Sequence, residues 1–341
     1  MMRRIVTMVC LAVLLALGFS SCVHEWPEPP AMRGARLVVR HELPWRLFDF
    51  YYNTRDGSGA EAPSVWNGVA VRYIYEVYPA GTTEVPVARY TEVRSDVTLA
   101  DFTTRIDLPA GEYDVYVWSD FIDSSTERSL FYDADIFSSI KLLTPYRGDS
   151  ELKDAFQGMF HASVPSSVDE LVDVEFDVTL KRPLTAYAFL STDLAEFIEQ
   201  ETRRKSTESS DVSQAPAIDF NSYKAVLRYP VFLPVEYSIF RNRPIDSATG
   251  VSFSGAMQII NNDEVLVGFD YFFINGAESS VNVAIDIYDP EGKLVSSVPS
   301  LTIPVERGRA TIVRGEFLTS QAHGGIGINP GFDGDFNIEI K

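Results

Sequence analysis

The residue types that most often carry catalysis are scattered through this sequence of 341 residues. The four histidines stand far apart from one another, at His24, His41, His161 and His323. Zinc proteases use His-Glu-x-x-His on one helix face, serine hydrolases use Gly-x-Ser-x-Gly at a strand-to-helix turn, and nucleotide-binding proteins use glycine-rich loops. None of these spacings occurs in the sequence. We therefore predict a protein that is not an enzyme and that carries no cofactor.

Carboxylates are the remaining candidates for chemistry, and the chain has 48 of them. Two suitably separated carboxylates are sufficient for glycoside hydrolysis, but so many acidic residues place some pairs at that separation by chance. Oxygen donors also cluster in two turn-like stretches, Asn261-Asn262-Asp263-Glu264 and Asp333-Gly334-Asp335. Neither stretch has the ligand spacing of an EF-hand calcium loop. We interpret both as solvated turns, and no metal site is predicted.

Cys22 is the residue whose surroundings indicate a definite chemistry. Two arginines near the start are followed by a largely apolar stretch from Ile5 to Phe19, and then by Ser20-Ser21-Cys22. A positive head, an apolar middle and small residues at the cleavage point form the layout of a secretory signal. A cysteine directly after the small residues resembles the lipobox of bacterial lipoproteins, in which the thiol is acylated. We predict a signal peptide at residues 1–21 and lipidation of Cys22, with palmitate among the acyl groups.

A transmembrane anchor and plain secretion are the alternatives to a lipid anchor. The apolar stretch is shorter than the about 20 residues that a helix needs to cross about 30 Å of hydrocarbon. Polar and proline-rich residues follow it, without a stop-transfer pattern. We therefore expect residues 22–34 to be a lipidated tether that holds the protein to the outer membrane, exposed at the cell surface. Glu25 and Glu28 weakly resemble a surface-export signal of Bacteroides-type bacteria.

Charge and cysteine content exclude several classes of protein. The formal net charge is −19, and it becomes −21 when Arg3 and Arg4 leave with the signal peptide. An acidic chain of this kind lacks the basic surface that nucleic-acid binding requires, so nucleic acid is not a predicted partner. Cys10 lies in the signal peptide and Cys22 takes the lipid, which leaves no thiol for a disulfide or a thiolate metal site. Buried apolar surface must therefore stabilise the fold.

From residue 35 onward the sequence has the alternation that is typical of β-strands. Leu171 to Leu180 is the clearest case, because apolar residues there alternate with acidic residues and a threonine. Strand-like stretches recur about every 8 to 12 residues, which is typical of β-sandwiches. We predict an all-β fold with minor α content, in two domains. These are an N-terminal β-sandwich at residues 35–180 and a C-terminal β-sandwich at residues 181–341, with one short helix near Thr192–Glu201.

Two tryptophans have contrasting surroundings. Trp118 ends an alternating strand, so we predict that it belongs to the core. Trp66 lies in a stretch that also holds Pro63 and Gly68, so it is the better candidate for an exposed aromatic residue. An exposed aromatic ring on a surface protein can stack on a sugar ring. Glycan binding is therefore an alternative function that the sequence leaves open.

The chain ends on a short strand-like segment that follows a glycine-rich stretch. In Asp335–Lys341, the alternation places Phe336, Ile338 and Ile340 on one face. An extended segment of this kind can complete its own sheet or can pair with an exposed sheet edge of a partner. We favour packing on its own domain, because terminal segments that are ordered are tied down in this way. A partner-strand role for these three residues remains the competing hypothesis.

Three stretches carry a resemblance to a known family when they are taken in order with Cys22. They are Leu108–Trp118 (LPAGEYDVYVW), Val178–Ala186 (VTLKRPLTA) and Val305–Leu318 (VERGRATIVRGEFL). Together they resemble the fimbrial anchor and accessory lipoproteins of Bacteroides-type bacteria, the FimB/Mfa-like group. The resemblance implies two tandem transthyretin-like β-sandwich domains. It also implies a pilus anchor, length regulator or tip component, whose subunits join by strand donation.

The leading hypothesis is therefore a non-enzymatic adhesion or assembly lipoprotein of a fimbrium. Its partners would be other fimbrial subunits, joined by strand donation, and the outer membrane, reached through the lipid on Cys22. The alternative is a surface glycan-binding lipoprotein of a polysaccharide-uptake system. The two hypotheses predict different gene neighbours and different behaviour on a polysaccharide affinity gel.

Overall fold

Strands dominate this computed structural model, which describes residues 33–41, 66–166, 174–208, 218–319 and 337–338 and confirms the predicted all-β class. The first strands are β1 Arg33–His41, β2 Val69–Pro79, β3 Ala88–Arg94, β4 Phe102–Leu108, β5 Gly111–Asp123, β6 Tyr132–Asp133, β7 Ile140–Leu142, β8 Ala155–Val164 and β9 Val174–Leu180. The later strands are β10 Leu184–Ser191, β11 Lys224–Tyr229, β12 Leu233–Ser238, β13 Arg243–Ala248, β14 Val251–Gly255, β15 Gln258–Ile259, β16 Val265–Phe273, β17 Glu278–Tyr288, β18 Leu294–Glu306, β19 Ala310–Gly315 and β20 Asn337–Ile338. The α-helix α1 spans Leu194–Glu208, and short 3-10 helices lie at Glu151–Lys153 and Phe220–Ser222.

The first sandwich is formed by the sheets β4-β1-β9 and β3-β2-β5-β8. Its strands alternate as the sequence predicts: in β5, Tyr113, Val115 and Val117 are buried, while Glu112 is exposed on the other face. The buried side chains of both sheets form one core, to which each fully buried aliphatic residue contributes about 1.5–3 kcal/mol. The outer face of the three-stranded sheet carries charged residues, such as Arg40, which pairs with Asp177.

The second sandwich repeats the strand order of the first. One of its sheets has the order β15-β16-β10-β19-β20 and the other has the order β14-β11-β17-β18. In the first sandwich, the first strand β1 is antiparallel to β4 and parallel to β9. In the second sandwich, the first strand β10 is antiparallel to β16 and parallel to β19 in the same way. The two tandem sandwiches therefore share one topology, although their sequences show no obvious repeat.

A fifth sheet joins the two sandwiches. This junction sheet has the order β13-β12-β7-β6, so it combines strands from both halves of the chain. Tyr237 of β12 pairs with Ile140 of β7. A core cluster lies between the junction sheet, the outer face of β2 and β5, and the β10-β16 face of the second sandwich. Trp118 is fully buried in this cluster, which confirms that it belongs to the core.

The central sheet of the second sandwich is consequently covered on both faces. In β10, Tyr187 and Phe189 point into the core of the second sandwich, whereas Ala186 and Ala188 face the junction cluster. Every residue of β10 and of β16 is buried. A strand buried on both faces loses polar–apolar alternation and becomes a mostly apolar run. The two sequences are such runs apart from Thr185, Ser191 and Asp270.

Helix α1 begins later and ends later than the sequence predicts. It runs to Glu208 rather than Glu201. Arg203 and Arg204 pair with acidic residues one turn earlier, Glu199 and Glu201, so both arginines belong to the helix.

Candidate assembly site

The edge of the second sandwich at β19 is the candidate site. On one side, β19 pairs in parallel with β10 along its whole length, from Ala310 to Gly315. On its other side, Ala310 pairs with Ile338 and Thr311 with Asn337, so that the terminal strand β20 lies antiparallel to the start of β19. β19 continues for four residues beyond that short pairing. The site is therefore a sheet edge that is occupied at one end by the C-terminal segment.

Hydrogen bonds fix β19 at both ends. Before the strand, the N–H of Gly308 donates to the carbonyl of Leu184 at 2.8 Å. After the strand, the carboxylate of Asp193 accepts from the backbone N–H of Thr319 at 2.8 Å and from its hydroxyl at 2.7 Å. These bonds hold the edge strand in an extended conformation before any further strand pairs with it.

The side chains of β19 are already packed within the protein. Ile312 contributes to the junction cluster and Val313 to the core of the second sandwich. Arg314 is half-exposed and forms an ion pair with Glu264 at 3.2 Å. A strand added at this edge would therefore be recognised mainly through backbone hydrogen bonds. A small cavity adjoins the start of β19 and is lined by Arg182, Leu184, Thr185, Ala186, Tyr271, Gly308, Arg309 and Ala310.

The other sequence-predicted residues are only partly within the described structure. Cys22, Phe336 and Ile340 lie outside the described residues, and of Ile338 the backbone position in β20 is defined. Trp66 lies in a short turn before β2, where it is partly buried, and its ring packs 5.3 Å from that of Phe121. A role for Trp66 in binding sugars stays a prediction.

The turn Asn261–Glu264 is held by its own side chains. The side-chain oxygen of Asn261 accepts from the backbone N–H groups of Asp263 and Glu264, both at 2.9 Å. The carboxylate of Glu264 also pairs with Arg314. Among the described residues, no group of three or more histidine, cysteine or acidic side chains is arranged to hold a metal ion. The stretch Asp333–Asp335 lies outside the described residues.

The two described histidines have opposite environments. His41 is buried beside Phe156, and burial lowers its pKa to about 4. His161 is exposed on the outer face of β8, where hydrogen bonds to Asp114 and Glu112 raise its pKa. Its ring nitrogens lie 3.0 Å and 2.9 Å from the two carboxylates. Both nitrogens are thus engaged in an ionic bridge between neighbouring strands.

A buried polar cluster around Asp270 was not predicted from the sequence. The ammonium of Lys153 lies 2.7 Å from the Asp270 carboxylate, which also accepts from the hydroxyls of Tyr146 and Tyr229. Burial lowers the pKa of Lys153, and the Asp270 charge opposes this effect. Lys153 and Tyr146 precede β8, whereas Asp270 lies in β16, so the cluster connects the two halves of the chain. A charged residue inside the apolar run of β16 is the signal that points to such a partner.

Comparisons with known proteins place the chain in a family. Residues 34–341 match a family of unknown function, DUF6562. The chain belongs to this family. No curated protein matches this DUF6562 member.

Solved structures similar to this DUF6562 member include three fimbrial proteins. The fimbrial anchor protein Mfa2 from Porphyromonas gingivalis is 11% identical, with 79% of this chain and 82% of that chain covered and a TM-score of 0.38. A fimbrial assembly protein from Parabacteroides distasonis is 8% identical, with 84% of this chain and 92% of that chain covered and a TM-score of 0.41. The tip fimbrial protein Mfa3 from Porphyromonas gingivalis is 12% identical, with 82% of this chain and 94% of that chain covered and a TM-score of 0.38. The group whose resemblance is noted in the sequence is therefore among the similar structures.

The described residues include the helix α1 and the two short 3-10 helices. None of the helices in them is both long enough and apolar enough to cross a membrane.

Proposed function

We propose that this protein is a lipid-anchored subunit of a cell-surface fimbrium, where it acts as an anchor, accessory or tip component and has no enzymatic activity. In this proposal, residues 1–21 are removed as a signal peptide and acylated Cys22 tethers the protein to the outer membrane. The observation that carries the proposal is the edge of β19, to which the terminal strand β20 is joined by two residue pairs.

The pairing between β20 and β19 is weak enough to be exchanged. A backbone hydrogen bond contributes about 0.5–1.5 kcal/mol net, so two residue pairs provide a few kcal/mol at most. A longer strand from another subunit could pair with the same two residues and continue along Ile312–Gly315. Such a strand would form more hydrogen bonds than β20 does, and main-chain pairing of this kind is a known mode of protein recognition. The proposed assembly step is therefore displacement or extension of β20.

The three stretches that resemble the fimbrial group lie at structurally important positions. Leu108–Trp118 contains the turn from β4 to β5, where the chain passes from one sheet of the first sandwich to the other. Val178–Ala186 joins the two sandwiches, from β9 to β10. Val305–Leu318 contains the turn from β18 to β19 and the candidate edge itself. The resemblance thus rests on the turns that define the fold and on the proposed assembly strand.

A reversible disulfide between β19 and β20 tests the assembly step. Ala310→Cys and Ile338→Cys would place two thiols at directly paired positions, within the range that a disulfide bridges. We expect the oxidised double variant to lose capture of fimbrial subunits in a pull-down, and a reductant to restore it. Each single-cysteine variant is the matched control. Capture that is equal in the oxidised and the reduced double variant would contradict the proposal that β20 is displaced.

The anchor and the alternative function are tested separately. We expect a clickable palmitate analogue to label the wild-type chain in its native bacterium, and Cys22→Ala to remove both the label and the membrane association. Retardation on a polysaccharide affinity gel, together with no capture of fimbrial subunits, would instead favour the glycan-binding alternative.

A further inference from the structure

One end of the first sandwich, here called the free end, lies opposite the residues that lead into the second sandwich, although Tyr78 at this end packs on Phe240 of the second half with ring centroids 5.3 Å apart. Its strand β1 starts there, because Arg33 pairs with Leu108 at the end of β4. The other end of the same sheet, where His41 pairs with Leu180, leads through residues 181–183 into β10. The turn from β2 to β3 lies at the free end, since the last residue of β2 pairs with Tyr113 near the start of β5.

The β2–β3 turn forms a tip with an unusually apolar surface. Among residues 79–87, Glu84 is the single charged residue, in a chain in which 23% of residues are charged. Val85 and Val87 are 73% and 54% exposed, on either side of Pro86. The neighbouring turn after β4 adds exposed Ala110, and it is followed by the exposed carboxylate of Glu112, which is bridged by His161. Two exposed valines on one short turn give the tip a small apolar surface.

Backbone hydrogen bonds hold this tip in position. The N–H of Ala80 donates to the carbonyl of Glu112 at 2.9 Å, and the N–H of Val87 donates to the carbonyl of Val77 at 2.8 Å. The N–H of Gly81 donates to the Asp114 carboxylate at 2.7 Å. The valines therefore project from a fixed loop, and their exposure does not depend on loop motion.

The proposed lipid anchor keeps the membrane within reach of the tip. Residues 22–32 separate Cys22 from the start of β1, and an extended chain of that length reaches about 40 Å at most. We infer that the Val85–Val87 tip inserts into the interfacial layer of the phospholipid bilayer and orients the protein on the membrane. This inference rests on the proposed lipid anchor. Because Glu84 and the net charge of −21 of the mature chain disfavour anionic headgroups, the contact is apolar and suits zwitterionic lipid.

Site-specific fluorescence on the acylated mature chain tests the inference. Acylation leaves the mature chain without a free thiol, so Thr83→Cys gives one labelling site in the tip, next to the valines without replacing them. An environment-sensitive dye at that site is measured in phosphatidylcholine vesicles that contain lipids with nitroxide quenchers on their acyl chains. Asp263→Cys, in an exposed turn of the second sandwich, is the matched control position.

We expect at least twofold stronger quenching at residue 83 than at residue 263. Adding Val85→Asp and Val87→Asp should remove the difference while the chain stays on the vesicles, and an unchanged thermal transition will show that these exposed positions do not affect folding. Equal quenching at the two positions, or quenching that survives the double substitution, would overturn the tip contact and leave the anchor intact. A chain that does not associate with vesicles at all would overturn the anchor, and with it the inference.

Discussion

Replacing Lys153 by methionine removes the positive charge from the buried cluster and keeps the length of the side chain. Lys153 and Asp270 are both fully buried, and their charged atoms are 2.7 Å apart. Removal of one partner from a buried ion pair typically costs about 3–5 kcal/mol, because the remaining charge is left uncompensated. The Asp270 carboxylate retains the hydroxyl donors of Tyr146 and Tyr229, and hydrogen bonds to a charged group contribute about 1.5–3 kcal/mol each. We therefore expect Lys153→Met to lower the free energy of unfolding by about 3 kcal/mol, at the lower end of the range.

Urea unfolding at pH 7 measures this cost, and a double-mutant cycle shows that it comes from the pair. Asp270→Asn alone leaves a buried ammonium, so it should also be destabilising. The double variant should cost less than the sum of the single variants by about 1–3 kcal/mol, because neither charge is left alone. Lys141→Met, at an exposed position in the junction sheet, is the control. Additive single costs, or a Lys153→Met variant as stable as Lys141→Met, would refute the reasoning.

Two further predictions follow from groups whose pKa is shifted. Burial raises the pKa of Asp149 to about 6, so its carboxyl stabilises the fold below the unfolded value near 3.8 and loses that contribution as the pH rises through 6. Asp149→Asn should therefore raise the free energy of unfolding at pH 7 by up to about 3 kcal/mol, with little change at pH 4, in urea titrations at both pH values. Hydrogen bonds to Asp114 and Glu112 raise the pKa of His161. Asp114→Asn should lower that pKa in an NMR titration of the imidazole, and an unchanged value would show that the Asp114 bond is not its cause.

The sandwiches could be predicted from the sequence because their strands are locally amphipathic. β9 alternates between buried and more exposed residues along its whole length, and β5 does so from Gly111 to Val117, so this pattern is visible without a partner strand. The terminal segment Asp335–Lys341, in which the sequence predicts a strand, contains β20. Local pattern was sufficient wherever one face of a sheet meets water.

The junction could not be predicted in this way. β6 has two residues and β7 has three, too few for a recognisable period, and their partner β12 begins about ninety residues after β7. Local alternation contains no information about a pairing over that distance. The same holds for Asp270: a charge within an apolar run indicates a buried partner, but the sequence does not identify Lys153 as that partner. The junction sheet and the partner of Asp270 therefore depend on contacts between residues far apart in the sequence, which local patterns do not reveal.

Because the junction sheet takes one hairpin from each half, neither half is complete without the other. A chain cut after Leu180 would lack β12 and β13, and the side of Trp118 that packs in the junction cluster would face water. The two sandwiches thus share strands and a core cluster, and we expect them to move as one rigid unit rather than as two independent domains. A force applied between the tether and the second sandwich would act on the pairing of β7 with β12. The buried ion pair between Lys153 and Asp270 would resist the same separation, because it also connects the two halves of the chain.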